Sequence, residues 1–100
     1  MKFSDWVKAS FDSETLADIA EYGASGGYAG ITYNADILDL YDRFSDDLWE
    51  ILNLHADNCG MSAGDIIADA KHKPHNHLQL AAFMVWFAVE LLAHELREGI

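Results

Sequence analysis

The sequence predicts an all-α fold: a compact single-domain bundle of about five helices, with the apolar C-terminal helix at its centre. Three observations point there. Apolar residues recur with helical spacing along most of the chain, and no run alternates with period two for long enough to make a strand. Capping residues and glycines punctuate the periodic segments where helices should start and stop. The segment from Leu78 to Ala93 is apolar nearly all round, and such a helix is covered by its neighbours. The 100 residues fit one domain spanning 1–100. A hydrophobic content of 51% and an aromatic content of 12% supply a core and argue against disorder.

The elements follow in order. Ser4 is a candidate cap for a short first helix through Ser10, with Phe3, Trp6 and Val7 as its apolar contacts. Asp12 or Ser13 caps a second helix over Glu14 to Tyr22, and with Asp12 as cap Phe11 and Leu16 form a hydrophobic staple. Gly23 stands where a C′ glycine belongs. Residues 23–31, GASGGYAGI, hold four glycines. No GK[ST] follows them, so the segment is a tight connection rather than a phosphate loop. The third helix is expected to begin after Thr32 or Asn34 and to run to about Asn58, ended by Cys59-Gly60. Ser62 with Asp65 forms a capping box for a short fourth helix, flanked by Met61 and Ile66 and stopped before Pro74. Asn76 caps the last helix, which runs to about Glu98.

Charge is the unusual quantity. Seventeen acids face six bases, a formal net charge of −11. Such a chain repels nucleic acid and anionic membrane, and is drawn to basic surfaces. On a helical wheel of the third helix, Ile37, Leu40, Tyr41, Phe44, Leu48, Ile51, Leu52 and His55 form one stripe. Asp39, Asp42, Asp46, Glu50 and Asp57 gather opposite, within a sector roughly 80° wide. Asp36 and Asp47 lie beside them, and Arg43 is the only base nearby. Asp42/Asp46 and Asp46/Glu50 are like-charged pairs at i,i+4, which cost a few tenths of a kcal/mol each. A single-sign face of this kind serves either solvation or a basic partner. Trp49 flanks it as an interface anchor or as the edge of the core. Tyr28, beside the glycines, is a further candidate contact.

Catalytic and metal chemistry find little support. His72, His75 and His77 cluster around Pro74, but the second ligand pair of a zinc site is missing apart from His55 and Cys59 at i,i+4. His94-Glu95-Leu96-Arg97-Glu98 carries Glu98 where a zincin helix needs its second histidine. Glu90 and Glu98 bracket His94 in what looks like an ordinary surface arrangement. Cys59 with His55 lacks an orienting third group or an oxyanion motif. No enzyme activity, cofactor or metal is therefore expected. A single cysteine suits a reducing compartment. The N-terminal MKFSDWVKAS lacks the apolar region of a signal peptide, and the longest apolar run, Leu80 to Val89, is half of what spans a bilayer. The expected location is the cytoplasm.

The segments FSDWVKASF, ADIAEYGASGGYAGITY, LYDRFSDDLWEIL and FMVWFAVELLAHEL resemble a family of small acidic phage and mobile-element proteins. That family includes anti-CRISPR inhibitors of type I, notably I-F, surveillance complexes. The resemblance implies an inhibitor of host defence that works without catalysis. It would bind basic Cas subunits and deny target DNA its channel by charge and bulk, as a DNA mimic does. The residues that would meet such a partner are Asp36, Asp39, Asp42, Asp46, Asp47 and Glu50, with Trp49 and Tyr28. The other binding reading is a phage accessory module that pairs with a protein through the Gly-rich segment and its tyrosines.

Overall fold

In the computed structural model, which describes residues 2–25, 36–70 and 74–98, five helices are seen: α1 (Phe3–Ser10), α2 (Ser13–Tyr22), α3 (Ile37–Cys59), α4 (Ala63–Asp69) and α5 (His77–Arg97). There is no strand among the described residues. Thr32, Asn34, Tyr28, His72 and most of the Gly-rich segment lie outside them.

α5 is the axis of the bundle, as its all-round apolarity predicts. Ala81, Met84, Val85, Ala88, Val89, Leu92 and Ala93 are all buried on it. It packs mainly against α3 and α2, with α1 against it more lightly. By length and composition this helix would also suffice to cross a bilayer. Here its side chains complete a core with Phe3, Val7, Ile19, Leu40, Phe44, Leu48 and Leu52. The radius of gyration, 13.0 Å, is that of a single compact unit of this length.

The ends of the helices are set by local chemistry. Asp12 Oδ1 accepts the Thr15 N–H at 2.8 Å, and these bonds from Thr15 hold its carboxyl below the ordinary range. Because the folded-state pKa is depressed, this cap stabilises the fold above the unfolded-state pKa and loses its effect as pH falls through the folded one. Ser62 and Asp65 exchange both bonds of a capping box. Asn76 Oδ1 accepts the Gln79 N–H at 2.8 Å. At the end of α3, Gly60 takes φ 72° and ψ 28°. Its N–H bonds to the Asp57 carbonyl at 3.2 Å and that of Met61 to Ala56 at 2.8 Å, the pair of bonds that defines a Schellman stop.

Two expectations need correction. α1 starts one residue before Ser4: Lys2 occupies the cap position and makes no side-chain cap bond. The Phe3 N–H is satisfied from 44 residues away, by Asp47 Oδ2 at 2.8 Å. α3 is also not one straight helix. Phe44, at φ −120° and ψ 16°, leaves the helical region and kinks it. No proline or glycine lies in α3, so the break is carried by a core aromatic. The Phe44 ring meets Phe3 edge-on at 5.7 Å and Trp6 at 5.8 Å.

Phe44→Ala is expected to destabilise the fold by about 3–5 kcal/mol in urea denaturation, since it empties the hub between α1 and the kink. Asp47→Ala, by leaving the Phe3 N–H without its acceptor, should cost about 1 kcal/mol in the same measurement.

Candidate functional site

The acidic residues of α3 divide into two groups by what they do. Asp36 is the N-cap: its Oδ1 accepts the N–H groups of Leu38 at 2.9 Å and Asp39 at 3.4 Å. The half-buried Asp47 holds the start of α1. Both therefore have structural work, although the sequence places them beside the acidic face. Asp39, Asp42, Asp46 and Glu50 are exposed. Among the described residues, none of their four carboxylates has an ion-pair or hydrogen-bond partner.

The kink lies within this row: Asp39 and Asp42 precede Phe44, while Asp46, Glu50 and Asp57 follow it, so a straight wheel does not describe the row across the bend. Arg43 does not neutralise them. Its guanidinium lies over the Phe44 ring at 5.1 Å and the Trp6 ring at 5.7 Å, where cation–π attraction holds it. Trp49 is half-buried and packs against the core, with its Nε1–H donating to the Tyr41 hydroxyl at 2.9 Å. It closes the edge of the core next to the acids. Tyr28 lies outside the described residues.

Asp47 and Glu50 also line an open groove of about 320 Å³ between the start of α1, α3 and α5. Ile51, Leu54 and Leu91 form its apolar wall, and Glu95 and Lys2 stand on its rim. Periodicity alone missed this groove, because its walls come from three separated segments. Its available signal was Leu54, an aliphatic residue outside the α3 stripe, which is 57% exposed.

A second site escaped the sequence reading. Glu90 is not an ordinary surface acid beside His94. It is partly buried, and its Oε1 accepts the Ala24 N–H at 2.6 Å. Gly23 makes room for it. At φ +67°, a Cβ on Gly23 would lie 2.5 Å from that same oxygen. The signal was a lone carboxylate inside the apolar α5, which needs a donor once its helix is covered.

Among the described residues, no three metal-ligating side chains converge. Cys59 Sγ sits 3.6 Å from His55 Nε2 at the surface, and His77 meets the Tyr41 ring edge-on at 5.1 Å. No polar or charged side chain among the described residues is fully buried. The architecture thus offers exposed charge and an open groove with an apolar wall.

The chain belongs to the DUF7222 family. This domain of unknown function matches residues 2–100. Neither the curated proteins nor the solved structures contain a match.

Gly23→Ala is expected to lower stability by about 1–3 kcal/mol, through positive φ and the displaced carboxylate. Glu90→Ala should cost about 1–3 kcal/mol by orphaning the Ala24 N–H. Because the two residues share one contact, the double variant should be less destabilised than the sum, as chemical denaturation of all three proteins would reveal.

Proposed function

We propose that this DUF7222 domain is a non-catalytic binding module that engages a basic protein surface through Asp39, Asp42, Asp46 and Glu50. The observation that carries the reading is that four exposed carboxylates on one helix have no ion-pair or hydrogen-bond partner among the described residues, while the only Lys or Arg on that helix, Arg43, lies over aromatic rings instead. Like charges at i,i+4 weaken an isolated helix slightly. A basic partner would turn that local cost into attraction and would speed encounter at low salt. Asp36, which caps α3, and Asp47, which holds the start of α1, act in this reading as structural supports beside the acidic surface, and Trp49 as its apolar border.

The partner class comes from the sequence resemblance to anti-CRISPR proteins: basic Cas subunits of a type I surveillance complex. Their channels hold RNA and target DNA and are accordingly rich in Lys and Arg. A compact acidic domain lodged there would exclude target DNA by charge and bulk, with no turnover or cofactor.

The test is a gel-shift titration of a purified type I-F surveillance complex with its target DNA. Near-stoichiometric protein should abolish DNA binding. Reversing the four acids together (D39K, D42K, D46K and E50K) should weaken inhibition at least tenfold. It should also flatten the salt dependence, with circular dichroism unchanged. Unaltered inhibition by the folded variant would remove the acidic surface from the mechanism. No inhibition by the native protein would remove the surveillance complex as partner.

A further inference from the structure

We propose that the groove between α1, α3 and α5 is a docking site for a Lys- or Arg-bearing segment of a partner protein, which seats one apolar side chain against Ile51, Leu54 and Leu91. The inference rests on the acidic-surface reading and extends it, because Glu50 belongs to both the acidic row and the groove.

Shape supplies the first argument. The groove's volume, about 320 Å³, is at the lower limit of ligand sites. It is open along one side, so it suits a side chain presented from outside. Leu54 leaves more than half of its surface in water at 57% exposure, which covering would relieve at about 25 cal/mol per Å² of apolar area. Charge supplies the second argument. Three carboxylates, Asp47, Glu50 and Glu95, line the groove against Lys2 alone among Lys and Arg. Asp47 is fixed in place by the Phe3 N–H. An apolar residue flanked by cations satisfies floor and rim at once, as amphipathic segments do in grooves.

The same rim disfavours other occupants. A second copy of this chain would bring its own acids against these three. A small polar ligand would lack the buried polar groups that orient ligands, since none of the described residues has a fully buried polar side chain.

Two fluorescent twelve-residue peptides test the proposal. One carries Lys and Leu at helical i,i+4 spacing, and the other keeps the same lysines with Ser for Leu. Affinities for the native domain, measured by anisotropy at low and high salt, should favour the Leu peptide at least tenfold. Leu54→Glu is the decisive variant, because it adds an acid while removing the apolar wall. It should weaken the Leu peptide at least fivefold and leave the Ser peptide unchanged or tighter. Equal affinity for the two peptides, or tightening of both by Leu54→Glu, overturns the groove while leaving the acidic surface intact. Failure of both peptides to bind at low salt overturns the acidic surface and the groove with it. Sedimentation showing a dimer that Leu54→Glu dissociates would put a second copy in the groove and overturn the proposal.

Discussion

A helix too apolar to face water on most sides must be wrapped, and in this domain α5 imposes that requirement on everything else. With Val85, Val89 and Ala93 fully enclosed, α2 and α3 are committed to covering it. Their apolar stripes point inward and their charges point out. The small residues Ala81, Ala88 and Ala93 along α5 leave room for neighbouring helices to approach closely. Charge is thereby forced onto the outer faces of the wrapping helices, and α3, the longest of them, carries the largest share.

The outer face of α3 is then shaped by how α1 is attached. Phe3, Trp6, Phe11 and Phe44 form a connected aromatic cluster at the point where α3 bends. Edge-to-face pairs of this kind add about 0.5–1.5 kcal/mol beyond their buried area. Arg43 is recruited as a lid on the cluster and Asp47 as the anchor of the α1 start. Two charged residues of α3 are thus used to hold a neighbour. The acids left over have no described partner. The exposed acidic surface is in this sense a by-product of the packing, and the packing also opens the adjoining groove.

Local chemistry was legible in the sequence and long-range chemistry was not. Asp12, Asn76, the Ser62–Asp65 pair, Gly23 and Gly60 announced their helix ends because each cap depends on residues a few positions away. The central place of α5 was legible from composition alone. Ser4 misled because its competitor, Asp47, is supplied by a distant helix. The bend at Phe44 had no proline or glycine to announce it. A wheel drawn for a straight helix therefore does not carry across it. Glu90 looked superficial because its donor, the Ala24 N–H, lies 66 residues earlier. The groove depends on three segments meeting, which no single periodicity encodes.

The contact between Gly23 and Glu90 also constrains how the family can diverge. A side chain at position 23 and a carboxylate at position 90 contend for the same few cubic ångströms. A methyl at position 23 would push the Glu90 carboxylate off the Ala24 N–H, so what one position tolerates depends on the residue at the other. Joint rather than single substitution at the two sites is what this geometry leads one to look for across DUF7222 sequences.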